Sequence, residues 1–401
     1  MSDMVSKLFN DFDRGLISRR HLLQVLGVAA VTRPAMAFAQ GSCGGAKVGT
    51  PGCNTTPGKA PFAPTGWNTV LLDHFTVQVA DLDKEIAYYD ALMNWKIRSN
   101  DGKVAMLDIG DWGGLKVIGG YAPPAPATPA APAAPPAAPP AAAAGDPAAA
   151  ARAGGAGGRG GGGRGGGPAR QKFTGFCWGI DKWNAKTVEA ELKKRGLNPV
   201  ADNDPKNNFE SFHVVAPGGW DLQISNGNAK NRRQGPANGK TNGPAPFAAT
   251  NWKTVWLDHI SFQVDDYKAN VAFYEALLGW KPGADEGSQN QVQIGDVGDA
   301  IIRGGNALSP DWHRGRAGAD GAPGPMQPPS ATTIGHISFG IAPWDPDAVK
   351  AELDKRGLNA RADTGSSQEM HVSKYQSYHT TTPNGFDLQI SNVNKATRGT
   401  N

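Results

Sequence analysis

The sequence predicts an α+β protein built from four βαβββ modules arranged as two consecutive pairs. Three observations carry that prediction. Trp67–Lys96 and Trp252–Lys281 match at a constant offset of 185, with 15 identities in 30 positions. Lys186–Asn203 and Asp347–Thr364 match at an offset of 161, with 11 identities in 18 around A-E-L-x-K-R-G-L-N. Pro217–Asn226 and Pro383–Asn392 pair P-G-G-W-D-L-Q-I-S-N with P-N-G-F-D-L-Q-I-S-N at an offset of 166. Chance does not give three matches in the same order, so the chain beyond its leader is a tandem duplication.

Within each half an alternating apolar strand leads into an amphipathic helix, and short strands bounded by Gly and Asp follow. Trp256–Val264 alternates as a half-buried strand does, and Lys268–Leu278 carries Val271, Tyr274 and Leu278 at helical spacing. Ile334–Ile341 reads as the next opening strand. After it Asp345 caps a helix, Pro346 sits in its first turn and Gly357 ends it. Tyr89, Trp95, Tyr274 and Trp280, large and at helical spacing, are expected in the core. The resulting boundaries are a leader over 1–39, a Gly/Pro-rich segment over 40–66, a first paired domain over 67–228 and a linker over 229–251. A second paired domain follows over 252–394, with a tail over 395–401. Each pair is interrupted between its modules, by Ala122–Arg170 in the first and Gly304–Thr333 in the second.

Composition supports this division. Gly (53) and Pro (31) make up about 21% of 401 residues, against roughly 12% in average usage. Much of the excess is local, because Ala122–Arg170 holds 12 Gly, 11 Pro and 20 Ala. Four arginines in that Gly tract look like an RNA-binding segment, but beside an Ala-Pro run they read as a flexible spacer. Beyond the leader no apolar run reaches the roughly 20 residues that span a bilayer, so no membrane partner is expected once the leader is removed. Removing the charges of the leader and the Ala122–Lys172 region turns the net +4 into −2, which gives no basic face for nucleic acid. Walker-type loops, a nucleophile elbow and a Cys cluster for zinc are all missing from the sequence, so phosphate transfer and serine hydrolysis lack support.

Ser18-Arg19-Arg20-His21-Leu22-Leu23-Gln24, a short apolar stretch and Ala37-Phe38-Ala39 before Gln40 resemble a twin-arginine export signal cut after Ala39. That resemblance implies a periplasmic or secreted protein, exported already folded, so a metal can be loaded before export. Cys43 and Cys53 either pair across a short Gly-rich loop or stay free thiols, and Cys177 lies in an expected strand.

Four βαβββ units in two pairs, opening with D-H-x-x-x-Q-V-x-D and closing with P-x-G-x-D-L-Q-I, resemble the vicinal oxygen chelate superfamily. Glyoxalase I, extradiol dioxygenases and bleomycin-resistance proteins belong to it. The resemblance covers about Trp67–Val393 apart from the insertions and implies that the paired modules form two cups. It places metal ligands on the first and last strands of the units, at His259, His336 and Gln389. Two imidazoles and an oxygen donor can hold a divalent metal (Fe, Mn, Zn or Ni) facially and leave positions open for substrate. Gln389 is a weaker donor than Glu and carries no charge to offset the metal's. The first half keeps His74 and Gln223, but Gly175 stands where His336 would repeat, so no metal is expected there. Ala300-Ile301-Ile302-Arg303 offers no carboxylate for a fourth, glyoxalase-type ligand.

His371–Gln389 follows the spacing of the extradiol dioxygenase signature, with His379 in place of its Tyr and Gln389 in place of its Glu. Alternation puts Tyr375, Ser377 and His379 on one strand face and Tyr378 on the other, with Phe209, Ser211 and His213 repeating the pattern in the first half. His379 is the expected proton-transfer group. His74 and His213 are expected to be structural, and His371 to be solvated. The same alternation turns Asp73 and Asp258 away from the histidines that follow them. His313, Arg314 and Arg316 are placed to overhang the second cup. Two functions follow: a metal-dependent, dioxygenase-like or lyase/isomerase-like enzyme for a small oxygen-chelating substrate, or a metal-free exported protein that sequesters a small ligand. The Gln389 substitution and the degenerate first half suit the second.

Overall fold

The alternating stretch Trp256–Val264 is an opening strand in the computed structural model, which describes residues 54–122, 170–306, 331–363 and 367–398. The first module runs β1 (Thr69–Val79), α1 (Leu82–Met93), β2 (Lys96–Asn100), β3 (Val104–Ile109) and β4 (Gly113–Ile118). The second runs β5 (Gln171–Ile180), α2 (Ala185–Lys194), β6 (Val200–Ala201), β7 (Ser211–Ala216) and β8 (Trp220–Ser225). The third repeats the first as β9 (Lys253–Val264), α3 (Tyr267–Leu278), β10 (Lys281–Asp285), β11 (Gln289–Ile294) and β12 (Gly298–Gly304). The fourth comprises β13 (Thr333–Ala342), α4 (Pro346–Lys355), β14 (Arg361–Ala362), a short helix α5 (Ser367–Val372), β15 (Ser377–Thr381) and β16 (Asp387–Ser391). The expected four βαβββ units are present in this order.

Local chemistry sets the helix ends. Asp81, Asn184, Asp266 and Asp345 each accept a backbone N–H of the first turn, and Pro346 fits the start of α4, where an N–H has no partner to lose. Gly357, at φ 70°, takes the left-handed position that ends the turn after α4.

The modules pair edge to edge. One sheet has the order β2-β3-β4-β1-β5-β8-β7-β6 and the other β10-β11-β12-β9-β13-β16-β15-β14. In each, the opening strands of two modules run antiparallel at the centre and each is flanked by a parallel strand of its own module. Side chains therefore sort into two faces at the seam. Phe75 and Phe176 share one face of the first sheet, while His74 and Cys177 share the other.

The apolar faces of both sheets enter one core. Phe75 lies 6.1 Å from Phe339 and Phe176 lies 5.8 Å from Phe262 between ring centroids. Tyr89 stacks on Trp95 at 4.7 Å and Tyr274 on Trp280 at 4.5 Å, all four buried, as their spacing predicted. Each tryptophan also crosses to the other half: Trp95 Nε1 donates to Thr254 Oγ1 (2.8 Å) and Trp280 Nε1 to Thr69 Oγ1 (2.9 Å). The reciprocal bonds satisfy two buried indole N–H groups and leave the polar sheet faces pointing away from the shared core. No helix of the described residues is long and apolar enough to cross a membrane.

Candidate metal centre

The second polar face is centred on the β9/β13 seam. There the register steps from Leu257 to His259 on β9 while β13 advances from Phe339 to Ser338, so Asp258 is an extra, bulged residue. A bulge breaks the alternation that would turn Asp258 to the opposite face. Its Oδ2 accepts from Ser338 Oγ (2.7 Å) and Tyr375 Oη (3.1 Å), and its Oδ1 lies 3.4 Å from His259 Nδ1. This corrects the expectation from simple alternation. Burial opposes the Asp258 charge, but His259 and Ser338 outweigh it and hold the carboxyl well below its ordinary pKa.

His259 and His336 meet across the seam with their Nε2 atoms 3.0 Å apart. Burial first, then the neighbouring His259, His379 and Arg303, push His336 well below the ordinary histidine pKa, so its imidazole is neutral at pH 7. Gln389 enters from β16. Its Nε2 donates to Ser377 Oγ (2.8 Å) and Tyr375 Oη (2.9 Å) and lies 3.4 Å from Asp363 Oδ2. Those contacts leave Gln389 Oε1 buried with no hydrogen-bond partner among the described residues.

This donor set fits a divalent cation. An Nε2–Nε2 separation of 3.0 Å lets both nitrogens reach one cation at the usual metal–imidazole distance of about 2.0–2.1 Å, and a buried carbonyl oxygen without a donor is the group a cation would satisfy. His259, His336 and Gln389 would hold it, and the chemistry it would supply is Lewis acidity toward a substrate oxygen.

His379 lies beside this set, its ring centroid 5.0 Å from that of His336. Its Nδ1 donates to Asp387 (3.1 Å to Oδ2) and its Nε2 lies 3.5 Å from Asp363 Oδ1. Burial disfavours the charged ring, but the bonds to Asp363 and Asp387 outweigh it and push the pKa up to about 9. His379 is thus an imidazolium at neutral pH, a proton donor rather than a base. His336, His379 and Asp387 also present donor atoms within 4.8 Å of one another. In that alternative set, however, Asp387 is already engaged by His379 and by Arg361 Nη2 (2.8 Å).

Sequence reasoning missed Asp363, Asp387 and the bonding role of Tyr375. The signal for Asp387 was present, because it stands two residues before Gln389 in D-L-Q and therefore on the same strand face. Asp363 is the last identity of the repeat Asp347–Thr364, and Asp202 is its counterpart.

The first sheet repeats part of this arrangement. His213 bonds Asp221 (3.0 Å) and lies 3.4 Å from Asp202, and Gln223 Nε2 donates to Ser211 Oγ (2.8 Å). Gly175 occupies the His336 position, and a Cβ there would stand 2.8 Å from Asp221 O and 2.9 Å from Asp221 Oδ2. The space of a second imidazole is thus filled. His74 Nδ1 donates to Asp73 Oδ1 (2.8 Å), and Arg232 grips both Asp73 oxygens. The same bulge recurs at Asp73, so this aspartate also departs from simple alternation. Asp73, His74 and Cys177 cluster closely enough for a metal. Arg232 already neutralises the carboxylate, though, and burial pushes the Cys177 thiol upward so that it stays protonated.

His371, on α5, lies 3.4 Å from Asp347 at the start of α4 and takes no part in the set around His336. Residues 1–39, where an export signal is expected, lie outside the described residues, as do Cys43, Cys53, most of both insertions and His313, Arg314 and Arg316.

No curated protein matches the chain in sequence. Among solved structures, an Mn(II)-bound glyoxalase from Novosphingobium aromaticivorans aligns at 12% identity and TM-score 0.45, covering 81% of this chain and 82% of that one. A 2,3-dioxygenase from Pseudomonas sp. KL28 aligns at 11% identity and TM-score 0.46, covering 81% and 92%. Homoprotocatechuate 2,3-dioxygenase from Arthrobacter globiformis aligns at 13% identity and TM-score 0.46, covering 84% and 82%. Residues 256–366, the stretch that carries His259 and His336, match the family model of the Glyoxalase/Bleomycin resistance protein/Dioxygenase superfamily.

Proposed function

We propose that the chain is a vicinal oxygen chelate protein whose second cup holds a divalent metal through His259, His336 and Gln389. It acts on a small substrate that chelates through neighbouring oxygens, in a dioxygenase-like or glyoxalase/lyase-like reaction. One observation carries this reading: buried His259 and half-buried His336 bring their Nε2 atoms to 3.0 Å in a cup that also contains a buried, unengaged Gln389 oxygen.

The metal, when bound, supplies Lewis acidity to a substrate oxygen. The chain supplies the rest. Ser377 and Tyr375 fix the Gln389 amide so that its oxygen remains the free end. Neutral His336 keeps a lone pair available, and His379 holds a proton beside it for transfer to a substrate oxygen. The second reading, a metal-free small-molecule binder, draws on the same distance, since 3.0 Å also suits an N–H···N bond between the two imidazoles.

Elemental analysis of the full chain folded with Fe(II), Mn(II), Zn(II) or Ni(II) decides between them. Binding of about one metal per chain supports the metal reading, and occupancy below about 0.2 with every metal overturns it. The leader resembles a twin-arginine signal, so the chain is exported in folded form. With Lys at both Arg19 and Arg20, the precursor stays inside the cell; normal export of that variant overturns this part.

A further inference from the structure

The second polar face holds a group of buried, unpartnered side-chain atoms that metal ligation does not absorb. Ser261 Oγ, Gln291 Nε2 and Arg303 Nε are each buried without a hydrogen bond among the described residues. Register places them together. Ser261 pairs with His336 on one side and Ile301 on the other, Ile301 pairs with Gln291, and Arg303 is two residues beyond Ile301 on β12. All four side chains share the face of His259. The Arg303 charge is felt by both His336 and Asp363, which puts the guanidinium within reach of the cup, yet Arg303 forms no ion pair among the described residues.

A guanidinium and an amide NH2 donate hydrogen bonds and accept none, and a hydroxyl can join them as a donor. Buried donors without acceptors are costly unless a ligand supplies oxygen, and Arg favours planar, two-oxygen anions. Buried Ile301 separates the donors and presents an apolar surface between them. The first sheet lacks the guanidinium, the amide and the apolar residue between them, because the offset of 185 puts Ile118 at the Arg303 position, Met106 at Gln291 and Lys116 at Ile301, and keeps only a hydroxyl, Thr76, at Ser261.

We propose that Arg303, with Gln291 and Ser261, forms an anion subsite that takes a carboxylate of the substrate, while Ile301 packs against its apolar body. The substrate class is thereby a small organic carboxylate with a separate pair of neighbouring oxygens for the His259–His336 side. The position where a glyoxalase-type carboxylate ligand would stand thus carries, two residues on, a cation that selects charge in the ligand. This inference deepens the metal-cup reading and rests on it for the placement of the neighbouring oxygens.

The test compares 3,4-dihydroxybenzoate with catechol by anaerobic calorimetric titration of the full chain, with and without Mn(II). The carboxylated probe binds about tenfold or more tightly than catechol, and Arg303→Met brings the two to within about twofold with the metal content unchanged. Arg303→Lys, which keeps a point charge, retains part of the preference and guards against a folding defect. Gln291→Leu weakens the carboxylated probe and leaves catechol unaffected. Equal affinities in the native chain, no binding of the carboxylated probe, or a preference unchanged in Arg303→Met each overturn the subsite. A chain that takes up no Mn(II) yet keeps the preference sinks the metal reading and leaves the subsite standing. A metal-loaded chain without the preference does the reverse.

Discussion

His259 and His336 come from the opening strands of two different modules and bring their Nε2 atoms to 3.0 Å across the β9/β13 seam. The candidate metal centre therefore belongs to a junction. Neither module contains it alone, and its geometry depends on the bulge at Asp258 that sets how the two strands meet.

If this pair holds the metal, removing both imidazoles empties the centre. The His259→Ala, His336→Ala double variant is expected to fall from about one metal per chain to below about 0.2. Gln389→Ala is expected to weaken metal affinity by roughly tenfold to a hundredfold, as loss of one donor does. Occupancy of the double variant equal to that of the native chain would falsify the assignment.

His379 has a separate role. His379→Phe is expected to keep its metal and lose roughly a hundredfold to ten-thousandfold in turnover, the range of one general acid. If the variant loses its metal instead, the alternative set of His336, His379 and Asp387 is the real centre. The two outcomes are separated by measuring metal content and rate on the same preparation.

His213 offers a pH test away from that centre. Bonds to Asp221, and then to Asp202, outweigh burial and raise its pKa above the ordinary histidine value. The folded state therefore holds this proton more tightly than the unfolded chain does. The stabilisation is complete below about pH 6.5 and is lost as pH rises through the folded pKa. Denaturant unfolding of the native chain and of His213→Gln should show a gap that narrows from pH 6 toward pH 9. A gap that widens over that range contradicts the assignment.

The contact between the halves is tested at Thr254. Thr254→Val keeps the shape but removes the acceptor of Trp95 Nε1, which leaves a buried indole N–H unsatisfied. The expected loss is about 1–3 kcal/mol of unfolding free energy, with metal content unchanged. In Trp95→Phe, which lacks the donor, adding Thr254→Val is expected to cost much less, and a double-mutant cycle measures the difference.

The module order was readable from the sequence because it rests on local properties: a period of two, a helical period, aspartate caps and a closing glycine. The site was partly readable for the same reason, since alternation relates His379 to Ser377 and Tyr375. It failed at Asp73 and Asp258, each of which is an extra residue at one of the register shifts of its seam, so that the carboxylate changes side. A bulge is set by how two distant strands meet, and neither strand's own sequence announces it. Asp363 and Arg303 escaped for a related reason. Their relation to His336 depends on strands that reach the cup from different parts of the chain. In the sequence Arg303 only closes a stretch without a carboxylate, whereas the lack of an acceptor for its Nε depends on the assembled face.

The crossed tryptophan bonds have a consequence for how the duplication can change. Trp95 is anchored in the second half and Trp280 in the first, so the halves are dovetailed through their interiors rather than joined by a tether alone. The half that lacks a second imidazole cannot be trimmed away as surplus, because it forms one wall of the other half's interior. Its binding chemistry is free to drift so long as its carpentry is kept, which is the pattern seen at Gly175, where a glycine and an aspartate side chain fill the place of a ligand.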